Sequence, residues 1–101
     1  MLPLERLKKS NTIDNLWIYI LSLATKKPIY AYYLQKEIEE KFGFRPGKIT
    51  SYRVLYRLEK DGFVKSKMEE RRRVYKITEK GKKELEKAKS FYKTILKWLE
   101  D

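Results

Sequence analysis

The chain contains no cysteine and no histidine. The first absence excludes a disulfide framework, a thiol nucleophile and any cysteine-rich metal site. The second excludes histidine-based metal sites, general bases and pH switches. Glycine (4) and proline (3) are scarce, and no glycine-rich phosphate loop is present. The acidic residues are scattered among lysines as solvated helix charges, so neither an enzyme nor a cofactor or metal is expected. No apolar run approaches the roughly 20 residues that a membrane span needs. The opening MLPLERLKKS also lacks the apolar core of a signal peptide. A soluble cytoplasmic protein with no membrane partner is expected.

What the chain has is positive charge. Its 101 residues hold 25 Lys and Arg against 14 Asp and Glu, a net +11. Such a balance points to an anionic partner, nucleic acid first. The excess is local. Arg45 to Lys76 carries 11 basic and 4 acidic residues, a net +7, whereas Glu79 to Asp101 carries 7 and 5, a net +2.

The centre of that basic region, from Lys48 to Met68, reads as a helix, a turn at Asp61-Gly62 and the start of a strand. At 3.6 residues per turn, Tyr52, Leu55 and Leu58 share one face, with Glu59 beside them. Thr50, Arg53, Arg57 and Lys60 fall opposite. This suits a helix that rests on a core and faces a polyanion, although an ordinary solvated basic face has the same pattern.

Residues 1–11 read as a polar arm, with Leu2, Leu4 and Leu7 able to dock on a neighbour. A first helix is expected from Thr12 or Asp14 to about Thr25. It is apolar nearly all round from Leu16 to Ala24, so it must be covered on every side. A second subunit is the simplest cover in so short a chain, the alternative being the central helix of one domain. A second helix spans Tyr30 to Phe42 and stops at Gly43. With the basic helix after Phe44-Arg45-Pro46-Gly47, it forms a helix-turn-helix.

Phe63 to Met68 and Arg72 to Ile77 read as a hairpin with its tip at Glu69-Glu70-Arg71. A basic hairpin beside a basic helix is a wing able to reach the sugar-phosphate backbone or minor groove. A charged edge hairpin kept soluble by its lysines is the alternative. Thr78 then caps a last helix, along which Leu85, Ala88, Tyr92, Ile95 and Leu99 recur at spacings of 3 and 4, a coiled-coil-like seam. Phe91, Leu96 and Trp98 widen that stripe.

The expected fold class is therefore mainly α with a small β-hairpin (α+β). The expected division is an arm (1–11), a winged helix-turn-helix (12–78) and a C-terminal dimerisation helix (79–101).

Two stretches of this chain resemble the PadR-type winged-helix transcription regulators. One is Thr50-Ser51-Tyr52-Arg53-Val54-Leu55-Tyr56-Arg57-Leu58-Glu59-Lys60-Asp61-Gly62-Phe63-Val64. It is similar to the family's recognition helix and its exit into the wing. The other is Tyr75-Lys76-Ile77-Thr78-Glu79-Lys80-Gly81 followed by Leu85, similar to the family's wing exit. Tyr32 and Leu34 fit the start of the second helix, where Ala31 stands in place of the family's frequent glycine. Either stretch alone recurs in other winged-helix families such as the MarR type. The resemblance implies a homodimer, with the C-terminal helix packed across a two-fold axis. It implies a repressor role and, in some members, a small aromatic inducer near the interface.

The residues expected to touch double-stranded DNA follow from these elements. Thr50, Ser51 and Arg53, in the first turns of the recognition helix, are assigned to the major groove, Arg53 forking onto guanine O6 and N7. Lys48, Tyr56 and Arg57 are assigned to phosphates, and Lys65, Lys67, Arg71, Arg72 and Arg73 to wing contacts. Leu16, Trp17, Ile20, Leu85, Ala88, Tyr92, Ile95, Trp98 and Leu99 are expected at a dimer interface. Trp17, Tyr19, Tyr92 and Trp98 are a candidate aromatic pocket for a planar effector. The competing classes are a sequence-indifferent architectural or RNA-associated protein and a winged-helix protein-interaction module.

Overall fold

A computed structural model describes all 101 residues. Helix α1 (Pro3–Ser10) is followed by a 3-10 turn (Ile13–Asn15) and α2 (Trp17–Ala24). A two-residue strand β1 (Ile29–Tyr30) and a second 3-10 turn (Ala31–Tyr33) lead to α3 (Leu34–Phe42) and α4 (Lys48–Lys60). The hairpin β2 (Val64–Glu69) and β3 (Arg72–Ile77) precedes the long α5 (Glu79–Glu100). No helix is long and apolar enough to cross a membrane.

The first 11 residues are more ordered than their composition suggested. Pro3 occupies the first helical position, where its missing N–H costs nothing and its fixed φ starts the helix. Asn11 Nδ2 donates to the Leu7 carbonyl and Thr12 Oγ1 to the Lys8 carbonyl, closing the last turn. Thr12 thus ends α1 instead of starting α2, which begins only at Trp17. No residue of α1 is buried, and Leu2, Leu4 and Leu7 stand exposed.

The apolar helix α2 is the centre of a single-chain core. Leu16, Ile20 and Leu21 are essentially sealed, packed with Ile29, Leu34, Ile38, Leu55, Val64, Tyr75 and Leu85. This corrects the expectation that Leu16, Ile20 and Leu85 meet a partner subunit: α3, α4, α5 and the sheet cover α2 within one chain.

The hairpin is part of a three-stranded antiparallel sheet in the order β1-β3-β2, with Ile29 opposite Tyr75 and Tyr30 opposite Val74. β1 takes Tyr30 and the 3-10 turn takes Ala31–Tyr33, so the second helix begins at Leu34 and not at Tyr30 as expected. The reversal between β2 and β3 uses only Glu70 and Arg71, at φ 46° and 68°. Positive φ at both central positions belongs to the tight turns that match strand twist, and glycine or asparagine usually fills them. Here a charged pair holds the left-handed conformation at the tip.

The exit from the wing is packed against the start of α5. Thr78 Oγ1 accepts from the Gly81 N–H at 3.1 Å and donates to the Gly62 carbonyl at 2.7 Å. A Cβ on Gly81 would stand 2.2 Å from the Phe63 carbonyl oxygen and 2.8 Å from Ile77 Cγ1. Glycine at 81 is therefore what lets α5 approach the turn between α4 and β2. At Ala31 the frequent glycine is not required, since Ala31 is not among the residues with positive φ.

Candidate nucleic-acid interface

Helix α4 rests on the core through Ser51, Leu55 and Leu58, with Val54 half-buried. Its buried side is therefore turned from the one expected. Tyr52 is 41% exposed, while Ser51 is sealed, with its hydroxyl and its N–H both donating to the Gly47 carbonyl. Ser51 closes the first turn of the helix and is withdrawn from groove reading; Thr50 is half-buried. The side facing water carries Lys48, Ile49, Tyr52, Arg53, Tyr56, Arg57 and Lys60. Ile49 and Tyr52 were missed as interface residues. Counting Val54 with Leu55 and Leu58 would have moved the apolar centre onto Ser51 and exposed both.

At 100° per residue, Glu59 and Arg57 leave α4 from opposite flanks, with Ile49, Tyr56 and Lys60 between them. The Glu59 flank meets the wing. Glu59 Oε2 accepts from the Ser66 N–H (3.0 Å) and the Ser66 hydroxyl (2.6 Å), and Arg73 Nη1 donates to Ser66 Oγ at 3.0 Å. Glu59 thus ties β2 to α4, and Arg73 ties β3 to β2 within the wing. The Arg57 flank meets a cleft against α2 and α5, lined by Arg53, Arg57, Trp17, Phe63 and Glu84. Arg57 Nε lies 3.5 Å from Asp61, an exposed pair of little energetic weight.

The register sorts the wing cations into two faces. Met68 pairs with Arg73 and Ser66 with Tyr75, on the side of Glu59. Lys65 pairs with Lys76, and Lys67 with Val74, on the other side. Two lysines directly opposite repel each other, and Lys76 joins the expected pair Lys65 and Lys67. Lys67 Nζ reaches Glu69 at 3.2 Å, and that bond holds the Glu69 carboxyl below its usual range. Arg72 is engaged elsewhere. Its guanidinium lies 4.4 Å and 5.1 Å from the ring centres of Tyr32 and Tyr33 and donates to the Tyr33 hydroxyl. Arg71, at the tip, is exposed and has no side-chain partner.

The aromatic residues assigned to an effector pocket are not all brought together. Trp17 and Tyr92 share a groove between α2 and α5 with Ala88, Phe91 and Ile95. Tyr19 instead packs edge-on against Phe42 (4.8 Å) and Phe44 (5.0 Å) and donates to the Asn11 carbonyl. Burial there, then the neighbouring Tyr92, pushes the Tyr19 hydroxyl above its usual pKa. Trp98 lies outside the groove and is 65% exposed, near Leu96 and Leu99 at the open end of α5. No group of residues suited to hold a metal is present.

No curated protein matches the chain, but a family model and solved structures do. The model of the transcriptional regulator PadR-like family matches residues 20–87. A transcriptional regulator from Clostridium thermocellum is 31% identical over 83% of this chain and 88% of its own, with a TM-score of 0.76. A PadR family transcription regulator from Clostridium difficile R20291 is also 31% identical, over 82% and 92%, with a TM-score of 0.73. Bacillus subtilis PadR, solved in complex with operator DNA, shares the fold at 23% identity and a TM-score of 0.63, over 75% of this chain and 47% of its own. With the recognition helix, the wing and the long last helix in the order expected, this chain belongs to the PadR-like family of transcriptional regulators and is a DNA-binding winged-helix protein.

Proposed function

We propose that the protein is a homodimeric, sequence-specific repressor that binds double-stranded DNA at an inverted-repeat operator. One observation carries the reading: α4 is seated on the core by Leu55 and Leu58 and turns Lys48, Arg53, Tyr56 and Arg57 to water, beside a hairpin tipped by Arg71. A seated helix with cations outward fits the major groove, and a basic hairpin at its flank fits the adjoining backbone. Arg53 takes the base-reading role; Lys48, Tyr56, Arg57 and Arg71 hold phosphates. Lys65, Lys67 and Lys76 form a further cationic face for the backbone, and Glu59, through Ser66, sets the angle of the wing.

The dimer reading is supported by apolar surface left uncovered. Phe91, Leu96, Trp98 and Leu99 on α5 are all more than half exposed, as are Leu4 and Leu7 on α1. Large apolar side chains left exposed in such number are a feature of protein interaction surfaces. Trp98 and Leu99 remain in the proposed interface. Trp17, Ala88, Tyr92 and Ile95 line the groove inside one chain, where a planar aromatic effector would be held between Trp17 and Tyr92.

Selection of bound sequences from a random DNA pool tests the reading. The expected result is an inverted repeat with half-sites about 34 Å apart, or a whole multiple of that. Equal binding to every sequence in competition would replace the operator reading with an architectural one, which the net +11 also suits. Repression itself is read by placing the selected site over a promoter and measuring transcription with and without the protein.

A further inference from the structure

We infer that Ile49 is a specificity-determining residue, which packs on the C5-methyl group of a thymine in the major groove. The inference deepens the operator reading above and rests on it. Ile49 is the second residue of α4 and is 73% exposed, more than either tyrosine on the same face. It takes no part in the hydrophobic core. It does not serve the helix either, because a β-branched side chain loses rotamer freedom there and a lysine or glutamate would be a better former. Its neighbours at i+3 and i+4 are Tyr52 and Arg53, both exposed.

The surroundings decide what covers it. Lys48, Arg53 and Lys60 stand exposed on the same outer side of α4, so the occupant is anionic as well as apolar at one point. A second copy of this chain, with net +11, does not fit. On a major-groove floor of hydrogen-bonding edges, the thymine methyl is the apolar group that a base pair presents. Set over a cytosine, Ile49 would cover the N4 amino group without accepting its hydrogen bond, which costs free energy. Ile49 thus selects an A·T pair by fit to the methyl and by leaving a polar edge unsatisfied at G·C.

The test uses the full chain and the site selected from random DNA. Each thymine is replaced in turn by deoxyuridine, which removes the methyl and nothing else. The wild type should lose affinity about fourfold at one position per half-site, the equivalent of ~0.8 kcal/mol for one buried CH₂ group. Ile49→Ala should bind the thymine and deoxyuridine sites equally at that position and keep its response elsewhere, with Ile49→Val intermediate. Neither variant should melt appreciably below the wild type, since the side chain is exposed. A wild type indifferent to every replacement, or an Ile49→Ala variant as sensitive as the wild type, overturns the inference and leaves the operator reading intact. A pool that yields no consensus overturns that reading first.

Discussion

Arg71 and Arg72 are adjacent in sequence and differ in surroundings. Arg72 is stacked on two tyrosine rings and bonded to one of their hydroxyls, whereas Arg71 is free at the tip. Arg71→Ala should weaken all DNA sequences alike and lower the slope of log affinity against log salt by about 1. Arg72→Ala should change that slope less, and should loosen the wing, seen as faster amide exchange in β3. A larger slope change for Arg72 would show that its guanidinium leaves the tyrosines for phosphate. Arg53→Ala should cost about 1–3 kcal/mol on the selected site and relax base choice at one position; equal loss on random DNA would reduce Arg53 to a backbone contact. Tyr75 adds a pH dependence. Burial, then the nearby Glu59 carboxylate, raises its pKa in the folded chain above the ordinary value of 10.0. Its neutral form is favoured in the fold, so this stability is fully present below pH 10 and declines as pH rises through the folded pKa. Tyr75→Phe should flatten the alkaline limb of a stability-against-pH curve above pH ~10.

At the scale of elements, the contacts that matter are those that fix one element against the next. Glu59 and Ser66 join α4 to the wing through bonds of 2.6 and 3.0 Å, and Arg73 braces Ser66 from the neighbouring strand. Gly81 joins α5 to the turn between α4 and β2 by admitting the Phe63 carbonyl. Gly81→Ala forces backbone apart at a 2.2 Å approach and should destabilise by at least the ~1–3 kcal/mol of an overpacked core, measured by urea unfolding. Most of this order was legible in the sequence. Leu55 and Leu58 marked the seat of α4, Thr78 the cap of α5, and the runs Phe63 to Met68 and Arg72 to Ile77 the hairpin. Three features were not legible, each for a physical reason. β1 is two residues long, too short for any period to register. α1 was obscured because Pro3 reads as a breaker until its place at the first helical position is known. Ser51 looked outward by residue type, and only the backbone carbonyl of Gly47 explains how its hydroxyl is buried without loss.

The whole molecule is elongated. Its Cα radius of gyration is 14.5 Å and its extents are 51 × 30 × 22 Å, against about 13 Å for a compact chain of this length. The excess comes from parts that stand off the core: α1, the far half of α5 and the wing tip. Leu96→Lys with Leu99→Lys should yield a folded monomer by light scattering, because both side chains are exposed in the single chain. A dimer that survives both changes would move the interface off α5. Removal of residues 1–10 should change the melting of the single-chain core little, since no residue of α1 is buried, and should weaken the dimer if Leu4 and Leu7 belong to it.

The tight approach at Gly81 has one more result. With no slack between Phe63 and the first turn of α5, the last helix works as a rigid arm carrying its own reading head. In the proposed dimer, the angle at which two such arms cross would set how far apart the two heads stand. Changing that angle far out on α5, without touching a single arginine, would retune the protein to operators of a different spacing.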